Sequence, residues 1–470
     1  MKKINQWMIA ICLLFLAFSP TLAQEDMLNT PSTLTSCNEG VDLTGQEFQV
    51  HHFGDFTGPL SFITTPLLAA LEDATNYYNS LGGICGATIT IPDPTTIDTG
   101  GVPSVSQEIY NRISTADPKP SLLILYSSDD SEILRERLAE DEIPVLISAG
   151  SIEGLYGEDG QTPGWIFATN PLYVDQLGHF CQYVSENLEQ FPENPTIGYL
   201  SWLGAFGQAA YTPEVIAYCQ AQGVGFIETP EYWHPAQTTD ISNNILNLVG
   251  AGANIIYTNS LASGPFLISK TLALLGLLDQ VQLAGVNWVL DTSVALLSAQ
   301  DLAQGVANSV GLPAVDGMIG SMPFYWWSEA NSQPGIAFIQ QQFALNERPF
   351  AIQNIAYLLG FGIVEYWSEL MIRTGNRVGF ENIDGVAVKE TIENTVFAPL
   401  TGVPIDFQGG ALRDAAPNRI AQLRFLGTDG GPATSIQDLD MSMGIPIPIV
   451  IPLSDFTDSP DLRPGGADVP

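Results

Sequence analysis

The segment SSDDS at residues 127–131 carries hydroxyl and carboxylate groups directly after the short apolar run at 121–126. A further hydroxyl, that of Ser151, follows the apolar run at 144–148. Such groups accept and donate hydrogen bonds and can hold a polar ligand. No Ser-His-Asp order, metal-ligand spacing or phosphate-binding glycine loop accompanies them. The pattern therefore predicts noncovalent binding, with no catalytic residue, no cofactor and no metal.

Asp129 and Asp130 allow two interpretations. They could form an acid pair, or Asp130 or Ser131 could cap the helix that we predict from about residue 132. Capping is the favoured interpretation because Ser and Asp are common at the start of helices. A ligand-binding role for Ser127 or Ser128 does not depend on this choice.

Strands and helices alternate along the chain and position these groups. Apolar residues at 67, 71, 74 and 78 recur at helical spacing between two β-rich runs, which predicts one strand–helix–strand unit over residues 47–93. Parallel strands joined in this way leave a ligand site outside their carboxyl ends, here the loop Gly54 to Thr65. A helix at 103–114 follows, and a second series starts with a strand at 196–202. We expect an α/β fold of two doubly wound parallel-sheet lobes.

The first unit also resembles the opening of the leucine/isoleucine/valine-binding proteins. Phe53-Gly54 with Thr57-Gly58-Pro59 is similar to that family's G-x-x-[ST]-G-P loop, and NSLGGICG at 79–86 is similar to its N-x-x-G-G-[IV]-x-G turn. Segments along residues 45 to 426 follow the family's order. The resemblance implies the type I periplasmic binding protein fold, in which three crossing segments join the lobes.

The residues and the resemblance together indicate boundaries for the parts of the chain. We expect a signal peptide at 1–23, an N-terminal leader at 24–44, a first lobe at 45–169 and 323–398, a second lobe at 170–322 and 399–426, and an extended tail without a core of its own at 427–470.

By the same resemblance, the ligand contacts lie in strand-end loops of both lobes. The implied residues are Ser127, Ser128, Asp129, Ser131, Ser151, Phe206, Asn259, Asn287 and Trp288. Phe206 replaces a usual Tyr and keeps an aromatic wall, whereas Asn287 lies where some members carry Glu. Without that carboxylate an ammonium group is held less well. The ligand could then be an amide, a carboxylic acid or an aromatic compound, or Asp129 could supply the charge.

Composition and the N-terminus indicate an exported protein. The chain has 51 Asp and Glu against 15 Lys and Arg, a formal net charge of −36, which argues against nucleic acid or an anionic membrane as partner. Lys2 and Lys3, an apolar core at 7–18 and Ala23 form the pattern of a cleavable secretory signal. We expect a protein that is periplasmic or extracellular and soluble after cleavage.

Four cysteines remain after the predicted cleavage, and they allow three pairings. Cys37 with Cys85 would tie the N-terminal segment to the Gly-Gly turn. Cys181 with Cys219 would link two neighbouring helices, but buried free cysteines on apolar helix faces are an equal alternative for this pair.

Together these features predict a solute-binding protein of an ABC importer. It would hold an amino acid, an amide or a small carboxylate between its lobes, close by hinge motion, act as a monomer and meet the permease subunits. The alternative is a ligand-sensing receptor module of the same fold. That alternative requires a membrane helix or a fused kinase after residue 426, which the sequence does not contain.

Overall fold

The computed structural model describes residues 34–470. The predicted signal peptide and the first part of the predicted leader, through residue 33, lie outside the described residues.

Short strands alternate with helices as the sequence predicts. The strands are β1 (Glu47–Gln49), β2 (His51–His52), β3 (Thr88–Thr90), β4 (Leu123–Ile124), β5 (Val145–Ile147), β6 (Ile166–Ala168), β7 (Thr196–Trp202), β8 (Gly225–Phe226), β9 (Glu231–Trp233), β10 (Ile255–Thr258), β11 (Gln282–Gly285), β12 (Ile319–Ser321), β13 (Val396–Phe397), β14 (Ile405–Asp406), β15 (Pro417–Asn418), β16 (Ile420–Phe425), β17 (Pro448–Pro452) and β18 (Thr457–Asp458). The helices are α1 (Ser61–Ser80), α2 (Pro103–Ser114), α3 (Ser128–Glu140), α4 (Ile152–Tyr156), α5 (Tyr173–Glu186), α6 (Ala205–Gln208), α7 (Pro213–Ala221), α8 (Ser242–Gly250), α9 (Ser263–Leu274), α10 (Thr292–Leu302), α11 (Pro334–Leu345), α12 (Ile355–Val378) and α13 (Gly385–Ile392).

Each lobe is built around one sheet. The first lobe contains the parallel sheet β2-β4-β5-β6, and β1 pairs separately with β3. The second lobe contains the sheet β17-β16-β12-β11-β10-β7-β8, with β9 also paired to β7. Its strands from β12 to β8 are parallel, whereas β16 and β17 are antiparallel additions at one edge. Strands β4, β5, β6, β10 and β12 are buried along their whole length because helices cover both faces of these parallel sheets.

Helices α1 and α12 pack together in the core of the first lobe. Gly360 allows this approach, since a Cβ there would lie 2.8 Å from the carbonyl oxygen of Leu67. By length and apolar composition α12 could also cross a membrane, but 94% of its most apolar stretch is buried inside the fold. This burial is typical of the core helix of a globular protein.

The C-terminal segment, predicted as an extended tail from residue 427, adds strand β17 to the second sheet. Further on, the side chain of Leu462 is fully buried and its N–H donates to Asp175 Oδ1 of α5 at 2.8 Å. Arg463 then lies over the ring of Tyr156 in α4, 4.4 Å from its centroid. The segment thus packs against both lobes, although the domain boundaries remain a prediction.

Two disulfides are present, Cys37–Cys85 and Cys181–Cys219. The first joins the segment before β1 to the turn after α1, and the second joins α5 to α7. These are the two pairings considered from the sequence.

Candidate ligand-binding cavity

A cavity of about 240 Å³ lies between the lobes, where the strands of both sheets end. Its lining comprises Asp55, Pro59, Leu60, Ile63, Thr64, Thr99, Gly101, Pro103, Tyr126, Ser127, Ser128, Asp129, Asp130, Ser148, Ala149, Tyr173, Trp202, Leu203, Phe206, His234, Pro235, Leu261 and Trp288. About half of these residues lie within four positions after the carboxyl end of a strand. This placement is the one expected for ligand sites of doubly wound α/β sheets.

Helix α3 begins earlier than the sequence predicts and brings its first turn to the cavity. Its N-cap residue is Ser127, without a side-chain capping bond, and Ser131 Oγ donates to the carbonyl of Ser128 at 2.8 Å inside the helix. The prediction that Asp130 or Ser131 caps this helix was therefore wrong. Because the helix starts at Ser128, the predicted loop is largely a helical turn that presents Ser128, Asp129 and Asp130 to the cavity.

Asp55 follows β2 within the loop where the sequence predicted a crevice. Its carboxylate accepts hydrogen bonds from the backbone N–H groups of Gly58 and Leu60, the latter at 2.9 Å. These bonds fold the loop into a tight turn at the start of α1. Asp55 is thereby fixed with its side chain almost fully buried at the cavity wall.

Asp129 connects the two lobes across the cavity. Its Oδ1 accepts the N–H of Ala205, at the start of α6, at 3.1 Å. The preceding residue, Gly204, has φ of +110°, a conformation that a residue with a Cβ rarely adopts. The glycine thus lets the second lobe present a backbone donor to a carboxylate of the first.

Asp130 is also buried at the cavity, with 5% of its surface exposed. Burial, together with the charges of Asp129 and Asp55, raises its pKa to about 6, and a hydrogen bond with Ser106 only partly offsets this rise. Near neutral pH, Asp130 therefore carries a charge that its surroundings disfavour.

Aromatic rings form another part of the cavity wall. Phe206 packs edge-on against Tyr173, with ring centroids 5.3 Å apart, and against Trp202 at 6.2 Å. Trp288 donates its indole N–H to the hydroxyl of Tyr173 at 3.2 Å. Tyr126 completes the wall, and its hydroxyl contacts Nδ1 of His52 at 3.0 Å. Burial lowers the pKa of His52 to about 3, so this histidine is a neutral supporting group.

Five of the residues implied by the family resemblance line the cavity: Ser127, Ser128, Asp129, Phe206 and Trp288. The other four do not. The hydroxyls of Ser131 and Ser151 are used within the first lobe, the latter donating to Glu132 Oε1 at 2.6 Å and accepting from the N–H of Gly154.

Asn259 and Asn287 support the second lobe behind the cavity. Asn259 Nδ2 donates to the carbonyl of Phe206 at 2.6 Å and so holds the aromatic wall in place. Asn287 is fully buried, and its N–H donates to Gln176 Oε1 at 2.9 Å.

Several lining residues were not among those predicted from the sequence, notably Asp55, Tyr126, Tyr173 and His234. Asp55 and Tyr126 had a usable signal, since the first lies in the predicted crevice loop and the second ends a predicted strand. Tyr173 lies in the first turn of α5 and reaches the cavity only because the lobes face each other. Among residues 34–470, no group of three or more His, Cys, Asp and Glu side chains is arranged to hold a metal ion.

Two doubly wound lobes with a cavity between them define a solute-binding protein of the type I periplasmic binding protein fold. The family model described as "Periplasmic binding protein" matches residues 48–424. The chain therefore belongs to the periplasmic binding protein family, of the branched-chain amino acid type that its sequence resembles.

Solved structures of the same fold share little sequence with this chain. A branched-chain amino acid ABC transporter protein of Thermus thermophilus with bound valine is 18% identical, with a TM-score of 0.68 over 88% of this chain and 98% of its own. A fatty acid ABC transporter substrate-binding protein of Thermomonospora curvata is 14% identical, with a TM-score of 0.65 over 92% and 97%. No curated protein sequence matches the chain.

A third structure carries an aromatic acid. A solute-binding protein of an ABC transporter from Rhodopseudomonas palustris BisB5, in complex with 3,4-dihydroxybenzoic acid, is 14% identical, with a TM-score of 0.62 over 89% of this chain and 99% of its own. The compounds named for these structures differ widely, so the fold alone does not identify a ligand.

Proposed function

We propose that this protein is the solute-binding component of an ABC importer and that it captures a small solute by closing its two lobes. The cavity carries the proposal, because both lobes line it and Asp129 of one lobe bonds to Ala205 of the other. A solute that contacts both walls stabilises the closed form by interactions that the open form lacks.

Family membership supports the remaining parts of the proposal. The protein is exported, works as a monomer outside the cytoplasm, and delivers its closed, loaded form to the permease subunits. It performs no covalent chemistry. The structures that resemble it are described as ABC transporter proteins, which supports this assignment. Their bound solutes also define the first compounds to test, together with the amides and small carboxylates that the sequence suggested.

The test combines thermal unfolding with small-angle X-ray scattering. Valine, 3,4-dihydroxybenzoate, a long-chain fatty acid, amides and small amines are added singly to the purified protein. A solute at 100 times its dissociation constant should stabilise the fold by about 2.7 kcal/mol. We expect a saturable rise in melting temperature that is accompanied by a smaller radius of gyration.

A cavity-filling variant supplies the control. Ala149 is buried at the cavity wall, so Ala149→Leu should abolish the shift, whereas Ala344→Leu, at an exposed position on α11, should leave it unchanged. Circular dichroism verifies that both variants fold. A shift without compaction would refute hinge closure, and the absence of any saturable solute would refute the importer assignment.

A further inference from the structure

The cavity has negative walls without a compensating cation. Asp55, Asp129 and Asp130 line it, and among residues 34–470 no Lys or Arg does. Backbone N–H groups satisfy part of the first two carboxylates, and Ser106 is the polar partner of the third. None of these neutral donors removes the net charge. Burying such charges is costly unless a positive group accompanies them.

The basic residues of the described part of the chain form their ion pairs and hydrogen bonds outside the cavity. In the described part of the chain, every Lys and Arg except Arg112 and Lys119 forms an ion pair with Asp or Glu. Those two donate to backbone carbonyls, of Thr96 and Asp141 respectively. His234 also lies at the cavity, where its Nδ1 accepts the N–H of Ala236 at 3.2 Å. No Lys or Arg of the described residues is thus available to neutralise the cavity.

The start of helix α3 does not reverse this charge. A helix N-terminus contributes about half a positive charge. The first turn of α3 itself contains Asp129 and Asp130, two full negative charges. The local potential therefore disfavours a solute carboxylate, even though backbone N–H groups are close by.

The aromatic wall suits a cation as well as an apolar body. Tyr126, Tyr173, Trp202, Phe206 and Trp288 surround the same space as the carboxylates. Aromatic faces attract ammonium groups, most strongly where water is excluded. The volume of about 240 Å³ lies below the range of drug-sized pockets, which favours a compact, single-ring solute over a long chain.

We propose that the solute is a protonated amine on a compact aromatic or apolar body without a free carboxylate, and that Asp130 and Asp129 bind its ammonium group. This assignment rests on the proposed solute-binding function and narrows it. The solute itself supplies the positive charge that the cavity walls lack. Simple aromatic acids, which lack such a charge, are disfavoured.

Three compounds with the same phenol ring test the assignment: tyramine, which has only the ammonium group, 4-hydroxyphenylacetate, which has only the carboxylate, and tyrosine, which has both. Affinities are measured by titration calorimetry with the purified protein. We expect tyramine to bind at least about tenfold more tightly than either other compound, because each unfavourable charge contact costs on the order of one factor of ten.

Asp130→Asn is the decisive variant, since it keeps the shape of the side chain and removes its charge. Tyramine affinity should fall about tenfold or more, whereas 4-hydroxyphenylacetate should bind no worse than before. Glu136→Gln is the matched control, on the same helix but with its side chain 79% exposed, and should change neither affinity. Melting temperatures verify that both variants fold.

The proposal is overturned if the acid binds more tightly than tyramine, if Asp130→Asn binds tyramine as well as the unchanged protein does, or if tyramine fails to bind at about 10 mM. These failures remain distinct from failure of the proposed function. Saturable binding of the acid, or of valine or a fatty acid, would keep the solute-binding assignment and remove only the amine.

Discussion

Two buried carboxylates of the first lobe differ in whether the chain provides them with a positively charged partner. Asp73, in the core between α1 and α12, is 1% exposed and receives Arg348 through Nε at 3.0 Å and Nη2 at 2.7 Å, together with the hydroxyl of Tyr357. Asp130 is nearly as buried, yet no Lys or Arg among residues 34–470 pairs with it. The chain supplies the counter-charge where a carboxylate holds the fold together. At the cavity, we infer, the solute supplies the counter-charge.

The absence of a cation is not sufficient to mark a binding group. Within the described part of the chain, Asp291 and Asp414 are also buried without an ion pair, and burial raises the pKa of each to about 6. Asp291 accepts the N–H of Ser293 at the start of α10, and Asp414 accepts the hydroxyl of Tyr156. Neither lines the cavity. What distinguishes Asp130 is the combination of an unpaired charge, a cavity and an aromatic wall.

The largest expected effect belongs to the core carboxylate. Asp73→Ala leaves Arg348 and the Tyr357 hydroxyl without their shared partner, and should lower the free energy of unfolding by about 3 to 5 kcal/mol. Chemical denaturation measures this change. Solute preference should not change, because Asp73 lies outside the cavity.

Glu72→Ala is the matched control for this prediction. Glu72 pairs with the same Arg348 at 2.6 Å, but its side chain is 55% exposed, so its loss should cost less than about 1 kcal/mol. Equal losses of unfolding free energy for Glu72→Ala and Asp73→Ala would show that burial does not determine how much each carboxylate contributes through its ion pair with Arg348.

Replacing the cavity carboxylate Asp130 should raise the free energy of unfolding, whereas replacing Asp73 should lower it. The folded pKa of Asp130, about 6, exceeds the unfolded value of about 3.8. Its protonation therefore stabilises the fold fully below about pH 3.8, and this contribution is lost as the pH rises through 6. Asp130→Asn removes the penalty of the buried charge and should stabilise the solute-free protein near pH 8 by about 1 to 3 kcal/mol.

The two proteins should have the same stability near pH 4, where Asp130 is protonated in the folded state. Unfolding in denaturant at both pH values measures the difference. If Asp130→Asn were less stable near pH 8, the carboxylate would be a structural group like Asp73, and the contrast between the two regions would be lost.

More of the fold than of the binding site could be predicted from the sequence. Helix α2 and strand β7 have the bounds that their apolar patterns predict, because each pattern depends only on local spacing and burial. The binding role of Ser127 and Ser128 was predicted from their place at a strand end, and both line the cavity.

The remainder of the site depends on how distant segments meet. Asp130 was interpreted as a helix cap, since the sequence does not show that α3 starts at Ser128 or that no cation lies opposite. Trp202 both packs in the core and lines the cavity, and its own segment does not reveal the second role. Charge balance in a cavity is a property of the assembled walls, not of any one segment.

The affinity for tyramine should depend on pH if Asp130 binds the ammonium group. The charged groups facing Asp130 are Asp129 and Asp55, with Ser106 as its polar neighbour. Between about pH 8 and pH 5, protonation of a carboxylate with a pKa of about 6 should weaken tyramine binding by about tenfold, while the amine stays charged. Calorimetry at several pH values measures this slope. Asp130→Asn should flatten it, and a slope that persists in this variant would assign the titration to another group.

The smallest expected effect concerns the bond that joins the lobes. Asp129→Ala removes the acceptor for the N–H of Ala205, a hydrogen bond that the two lobes share only when they are close. Loss of one such bond should cost the closed form about 0.5 to 1.5 kcal/mol, a twofold to roughly tenfold fall in its population. Small-angle scattering of the solute-free protein should then show a larger mean radius of gyration.

Asp129→Asn keeps an oxygen at the same position and should remain as compact as the unchanged protein. If both variants open equally, charge rather than this hydrogen bond holds the lobes together, and Asp129 would resemble Asp130 more closely than its geometry indicates.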